Sequence, residues 1–203
     1  MKKRRDPSTD RTFARKRAVT AGGLLNSFNG NHQWYALQVR PRFEKLAARY
    51  LNKRGFEEYL PLYASRRVWS DRTKIVELPL FPGYTFCRFD IRKRLPILVV
   101  PGVLSIVGIG GVPTPITDGE ILAIQRVAGC GLRYGPWPWI HAGQRVCVER
   151  GPLAGLDGAV VRVKSDLHLI LELPLLQRSV FVDIDSACVK IPAPALIRAG
   201  RCR

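Results

Sequence analysis

The segment Leu78-Pro79-Leu80-Phe81-Pro82-Gly83-Tyr84-Thr85-Phe86 decides how this sequence is interpreted. It is rich in strand-forming residues, yet two prolines and a glycine interrupt the alternation of a strand. Because proline cannot donate to a sheet ladder, we expect a turn at Pro82-Gly83 at the end of a sheet. At least one ring of Phe81 and Tyr84 should then be partly exposed. A rigidly held surface aromatic is a typical anchor of a protein interface; the alternative is that both rings close the core.

The residues before this segment predict one strand followed by one helix. Trp34–Val39 is aromatic and β-branched, which favours a strand. Pro41 suits the first position of a helix, and Gly55 suits the position just after its end. Helical spacing predicts a buried stripe, which consists of Phe43, Leu46, Ala47, Tyr50 and Leu51. The opposite face is basic and carries Arg42, Lys45, Arg49, Lys53 and Arg54, either as a merely solvated surface or as a phosphate-binding one.

Short strands and one capped helix follow. The predicted strands are 57–63, 67–69, 75–78, 84–89 and 98–99. Thr117 and Glu120 have the spacing of a capping box, so a second helix should begin there and end at Gly129. This order of elements predicts an α+β fold, in which helices pack on an antiparallel sheet.

The C-terminal part predicts a small β-barrel. Five short strands, at 144–148, 159–163, 169–173, 179–183 and 188–190, are separated by turn residues at nearly regular spacing. A glycine-rich loop, Gly151–Gly158, lies between the first two and can project Leu153 and Leu156. The predicted organisation is a flexible basic arm (1–33), a domain (34–133), a proline-containing linker (134–140), a barrel (141–191) and a loose tail (192–203).

The charge of the chain points to a polyanionic neighbour. The 203 residues contain 33 basic and 16 acidic side chains, which gives a net charge of +17. Such a surface attracts nucleic acid. Eight of the basic residues and two of the acidic ones lie in residues 1–33.

The sequence argues against several other classes of protein. The five cysteines are odd in number and widely spaced, so a disulfide framework or a zinc knuckle is not expected. No apolar run reaches the ~20 residues of a membrane span, and no metal or cofactor site is expected. Gly108–Gly111 has the glycines of a phosphate-binding loop, but Pro113 and Pro115 follow where its helix would have to begin, so a phosphate-binding loop is not expected. With no nucleophile elbow or paired carboxylates, we do not expect an enzyme. The cysteine pattern and an N-terminus with no apolar stretch behind its basic residues predict a cytoplasmic protein.

Several motifs, in this order and spacing, resemble the N-terminal domain of the NusG family of transcription factors. They are Trp34-Tyr35-Ala36-Leu37, Phe43-Glu44, Leu80–Tyr84, Val103–Gly108 and Gly111–Ile116. The resemblance implies docking onto the clamp helices of RNA polymerase through Phe81, Pro82, Gly83 and Tyr84, with Tyr35 and Phe86 in support. It also implies that the hairpin at 66–74 faces the transcription bubble and touches upstream or non-template DNA. The candidate nucleic-acid contacts are Arg40, Arg42, Lys45, Arg49, Arg66, Arg67, Trp69, Arg72 and Lys74.

The C-terminal strands and the Gly151–Gly158 loop resemble a KOW module, an SH3-like barrel that in this family binds a ribosomal protein or a termination factor. By position, Leu153, Leu156, Leu176 and Phe181 would form that surface. The resemblance implies a monomeric elongation or antitermination factor that suppresses pausing or termination, and the basic arm favours a specialised paralogue of the RfaH type. Two alternatives remain, namely a ribosome- or RNA-binding KOW protein and an architectural protein that coats DNA.

Overall fold

The computed structural model describes residues 32–68, 73–138, 144–163 and 166–190. The predicted arm and tail therefore lie almost wholly outside the described residues. Within these ranges, no helix is long and apolar enough to cross a membrane.

The N-terminal part is built on a four-stranded antiparallel sheet with strand order β2-β5-β1-β6. Its strands are β1 (His32–Val39), β2 (Glu57–Tyr59), β5 (Tyr84–Asp90) and β6 (Val103–Ile106). Between β2 and β5 the chain forms a separate two-stranded hairpin of β3 (Leu62–Val68) and β4 (Thr73–Pro79). The run predicted as one strand at 57–63 is thus two strands, and Pro61 interrupts the ladder between them.

Both faces of this sheet are covered, because successive side chains of a strand point to opposite sides. On one face Tyr35, Leu37 and Phe89 form a core with two helices, α1 (Glu44–Lys53) and α2 (Leu95–Leu98). On the other face Trp34 and Phe86 belong to a second core, together with α3 (Asp118–Gly129) and part of the C-terminal sheet.

Helix α1 begins three residues later than expected and buries a different stripe. Its buried residues are Glu44, Ala47, Ala48 and Leu51. Phe43, Leu46 and Tyr50, which were expected in the core, are exposed. The physical reason is that the buried carboxylate of Glu44 accepts a hydrogen bond from the Gly83 amide, in the turn before β5, which sets the rotation of the helix. The two alanines allow the helix to approach the sheet closely.

The strand predicted at 98–99 is wrong, since Leu98 ends helix α2. A short apolar run does not distinguish a strand from a buried helical turn, and Pro96 in the first turn of α2 favours the helix. The glycine-rich segment Gly108–Gly111 belongs to a second small hairpin, made of β7 (Gly108–Ile109) and β8 (Val112–Pro113). Gly110 and Gly111 both have positive φ, as a two-residue type I′ hairpin turn requires.

The capping box of α3 is confirmed. The Thr117 hydroxyl accepts from the Glu120 amide at 3.2 Å, and the Glu120 carboxylate accepts from the Thr117 amide at 2.9 Å. Ile121, Ile124 and Val127 supply its buried stripe, as the spacing predicted.

The C-terminal part is a six-stranded antiparallel sheet with strand order β14-β10-β11-β12-β13-β9. Its strands are β9 (Tyr134–Trp137), β10 (Gln144–Val148), β11 (Asp157–Val163), β12 (Asp166–Leu173), β13 (Arg178–Asp183) and β14 (Val189–Lys190). All five predicted strands are therefore present, and the last one is shorter by one residue. The predicted linker differs, because residues 134–137 pair with β13 as an edge strand. Proline is compatible with an edge, where one side of a strand has no partner.

We expect Thr117→Ala to lower the free energy of unfolding by about 1 kcal/mol, because it removes the capping oxygen of α3. A thermal melt of the full chain measures this as a shift of roughly 2–4 °C. Gln125→Ala, at an exposed position within the same helix, is the control and should change the midpoint little. Equal shifts for the two variants would contradict the role of the cap.

Candidate functional site

The segment Phe81-Pro82-Gly83-Tyr84 forms a tight turn at the end of the N-terminal sheet. The Tyr84 amide donates to the Phe81 carbonyl oxygen at 3.1 Å, which closes the turn. Proline fixes a negative φ at the second position, and Gly83 has a φ of +83°. This combination defines a type II turn, whose third position favours glycine. We call these four residues the docking turn, after the role that the resemblance to the NusG family implies for them.

Two hydrogen bonds hold the docking turn to its neighbours. The Gly83 amide donates to Oε1 of Glu44 on α1 at 2.8 Å. The Gly83 carbonyl oxygen accepts from the Val39 amide, also at 2.8 Å. Glu44 is only 5% exposed, so its bond is sheltered from water. Sequence reasoning missed Glu44 as a site residue, although it is the only acid in a basic helix.

The two rings of the docking turn differ in exposure. Phe81 is 1% exposed and packs edge-on against Phe86, with 5.6 Å between the ring centroids. Tyr84 is half-buried. The expectation that at least one ring is partly exposed is thus met by Tyr84, and Phe81 lies in the core. Pro82 is exposed beside it.

The two supporting aromatics lie on opposite faces of the sheet. Phe86 lies beside the docking turn, with Tyr59 stacked at 6.4 Å between ring centroids. Tyr35 packs against Phe89 on the other face, at 5.0 Å. There, burial and the nearby Asp90 carboxylate raise the pKa of Tyr35. The structure therefore places Phe86 near the turn and Tyr35 away from it; Tyr59 was not foreseen.

The core behind the docking turn is shared with the C-terminal sheet. Phe81 belongs to the same buried cluster as Val146 and Leu153. The Arg126 guanidinium on α3 donates to the carbonyl oxygens of Pro152 at 3.1 Å and Ala154 at 2.6 Å. The Tyr134 hydroxyl donates to the Leu62 carbonyl oxygen at 2.6 Å.

The four candidate residues of the KOW surface do not form one exposed patch. Leu153 was expected to project from its loop, but this is wrong, since it is 1% exposed. The carbonyls on either side of it are bonded to α3, which holds the loop inward. Leu176 is buried as well, and Leu156 is half-buried. Phe181 is half-buried between Trp137 and His168, at 5.9 and 5.1 Å between ring centroids.

The candidate nucleic-acid residues fall on two adjacent elements. Arg40, Arg42, Lys45 and Arg49 are exposed on α1 and on the turn before it. Nζ of Lys45 donates to the Glu77 carbonyl oxygen at 2.9 Å, so the start of α1 lies against β4. The exposed cations of the hairpin are Arg66, Arg67 and Lys74; Trp69 and Arg72 lie outside the described residues. No group of three potential metal ligands was found among the residues described.

We expect Glu44→Ala to lower the free energy of unfolding by about 1.5–3 kcal/mol, because it leaves the Gly83 amide without its charged acceptor. Urea unfolding of the full chain measures the loss. Glu57→Ala, which removes a more exposed carboxylate that is paired with Arg88 at 3.6 Å, is the matched control and should cost at most about 1 kcal/mol. If Glu44→Ala were as mild as the control, the bond would not be what holds the docking turn.

Comparison with known proteins identifies the family. A family model described as "NusG: Transcription termination factor nusG" matches residues 32–125. A curated relative from Campylobacter jejuni, named transcription termination/antitermination protein NusG, is 29% identical over 143 residues, which cover 64% of this chain and 79% of the relative. A relative of the same name from Thermus thermophilus is 27% identical over 154 residues, covering 66% and 84%.

A solved structure titled "Domain interaction in Thermotoga maritima NusG" shares the fold. It matches with a TM-score of 0.52 and 19% sequence identity, and covers 80% of this chain and 98% of that one. Residues 32–125 therefore carry a domain of the NusG family, and the curated NusG relatives extend the similarity over about two thirds of the chain.

Proposed function

We propose that this protein is a non-enzymatic transcription factor that binds RNA polymerase through the docking turn and suppresses pausing or termination. Family membership supports the general role. The observation that carries the specific proposal is a type II turn that is held by two hydrogen bonds and presents a half-exposed tyrosine beside an exposed proline.

The rigidity of the turn favours binding. Association costs free energy whenever a loop or a side chain must be ordered. Here Glu44 and Val39 already fix Gly83, so little ordering remains when Tyr84 enters a pocket on the partner. Partly exposed aromatic anchors of this kind commonly contribute ~2 kcal/mol or more.

Binding through Phe81 requires a further step. Its ring is 1% exposed in a core that also contains residues of the C-terminal sheet, so the packing around it must open before Phe81 can touch a partner. We propose that the C-terminal sheet moves away in this step. The polar contacts that must break are those of Arg126 with the 152 and 154 carbonyls, and that of Tyr134 with Leu62. Tyr84 and Pro82 are accessible without this separation.

The effect on transcription follows from differential binding. A factor that binds the active arrangement of the polymerase more tightly than the paused one raises the population of the active arrangement. Holding the polymerase clamp closed has this consequence, and no covalent chemistry is needed.

The β3–β4 hairpin is the proposed contact with upstream or non-template DNA. Arg67 and Lys74 are directly opposite each other and both are exposed. Like charges in opposite positions destabilise a strand pair, whereas a phosphate placed between them removes the repulsion. The repulsion between Arg67 and Lys74 lowers the stability of the hairpin, and an anionic partner bound between them would restore it.

The C-terminal sheet is proposed to close into the SH3-like barrel of a KOW module and to bind a second partner, a ribosomal protein or a termination factor. In the described arrangement Leu153 and Leu176 are buried. Separation of the sheet from α3 would release the Gly151–Gly155 loop, which makes the second interaction depend on the same movement as the exposure of Phe81.

We expect Tyr84→Ala to weaken binding to purified RNA polymerase at least tenfold, because it removes the accessible aromatic anchor. Surface plasmon resonance with the full chain measures the affinity. Tyr50→Ala removes a more exposed tyrosine from α1 and should leave the affinity unchanged. If Tyr84→Ala binds the polymerase as tightly as the parent chain does, the docking proposal is wrong. If the parent chain binds RNA but not the polymerase, the RNA-binding alternative is favoured.

We expect Arg67→Glu to weaken binding to an elongation complex while the protein stays as stable as the parent or becomes more stable. The change replaces a repulsive cross-strand pair with an attractive one worth roughly 0.2–1 kcal/mol, and it repels phosphate. Affinity and thermal midpoint are measured together. Arg178→Glu, at an exposed site on β13, is the charge-matched control. A loss of affinity that is equal in both variants would show only an effect of net charge.

A further inference from the structure

A second proline turn stands immediately before α1. The Phe43 amide donates to the Arg40 carbonyl oxygen at 3.0 Å, which closes a turn over Pro41 and Arg42. Proline fixes a negative φ at the second position, and Arg42 has a φ of +71°. This is therefore also a type II turn, like the docking turn.

The two turns differ in the residue at the strained position. A type II turn favours glycine there, since a side chain with positive φ is crowded against its own backbone. The docking turn has Gly83 at this position, whereas the turn before α1 has Arg42. Among the described non-glycine residues only Arg42 and Gln177 have positive φ.

The described part of the structure contains nothing that compensates this strain. Arg42 is exposed, and its guanidinium makes no hydrogen bond or ion pair with the described residues. A strained residue that persists without an internal partner suggests that its side chain has an external one.

The position of Arg42 limits what that partner can be. Val39 and Glu44, which flank the turn on either side, are the two residues that bond to Gly83, so Arg42 lies at the same edge of the sheet as the docking turn. Arg40 and Lys45 are exposed on either side of it. The only acid from residue 40 to 53, Glu44, is buried and directed at Gly83. An exposed row of cations without an intervening acid fits a chain of phosphates better than a single carboxylate.

We propose that Arg42 contacts a phosphate of nucleic acid. A strained type II turn holds this arginine beside the docking turn and lowers the stability of the protein. The inference rests on the proposed function, in which this edge of the sheet docks onto a polymerase that carries nucleic acid. It makes two separable claims: the backbone at Arg42 lowers stability, and its guanidinium binds phosphate.

Three substitutions in the full chain separate these claims. Arg42→Gly removes both the strain and the guanidinium, and Arg42→Ala removes the guanidinium but keeps a side chain at positive φ. Gln177→Gly relieves the other positive φ, on the C-terminal sheet, and is the matched control. We expect Arg42→Gly to raise the thermal midpoint by about 3 °C and Arg42→Ala not to raise it. Gln177→Gly should also raise it.

Affinity is then measured for three probes, namely core RNA polymerase, the same polymerase assembled as an elongation complex on a nucleic-acid scaffold, and a free single-stranded oligonucleotide. Arg42→Gly and Arg42→Ala should each weaken binding to the elongation complex roughly three- to tenfold. The slope of log affinity against log salt should fall by about 1, as expected for one lost phosphate contact. Gln177→Gly should change neither quantity.

Each other result overturns part of the proposal. If Arg42→Gly stabilises the protein but does not weaken binding to the elongation complex or to the oligonucleotide, the arginine is merely tolerated at this position. If the Arg42 variants lose as much affinity for core polymerase as for the elongation complex, Arg42 contacts a protein carboxylate instead of a phosphate. If the parent chain binds no polymerase, the proposed function fails, and the free oligonucleotide still decides whether Arg42 contacts phosphate.

Discussion

The hydrogen bond between the Glu44 carboxylate and the Gly83 amide is the constraint around which this fold is organised. It joins the first helix to a turn that lies 39 residues further along the chain, at 2.8 Å and sheltered from water. Because a buried carboxylate is costly unless it is bonded, this single acceptor fixes the rotation of α1. The same rotation directs Ala47, Ala48 and Leu51 to the sheet and leaves Phe43, Leu46 and Tyr50 outside.

The N-terminal sheet links the parts of the molecule because both of its faces are used. The face of Tyr35 packs against α1 and α2, and the face of Phe86 packs in a core that also contains residues of the C-terminal sheet. The docking turn lies at the end of the strand that contributes to both cores. Its two rings have different environments: Tyr84 is partly exposed, and Phe81 is buried in the core that also contains residues of the C-terminal sheet. Under the proposed function, Tyr84 is available to a partner at all times, whereas Phe81 becomes available only when the packing around it opens.

Local signals were sufficient where one short segment determines its own conformation. The Pro82-Gly83 turn, the capping box at Thr117 and most of the C-terminal strands follow from residue types at short spacing. Long-range partners were not predictable in the same way. Nothing near Leu153 indicates that α3 will bond to the carbonyls beside it, and nothing near Tyr134 indicates that it will bond to Leu62. The expected exposure of Leu153 was wrong for this reason, and the predicted linker at 134–140 differs because residues 134–137 pair with the distant strand β13.

The sequence alone determined the α+β class, the presence of a proline–glycine turn between strand-forming residues, and the excess of positive charge, since these depend on composition and on neighbours a few residues apart. The tertiary structure decided which side of α1 is buried, which ring of the docking turn remains accessible, and that an arginine occupies a backbone conformation favoured by glycine. These features depend on hydrogen bonds and packing between segments far apart in the chain, whose geometry no local pattern encodes.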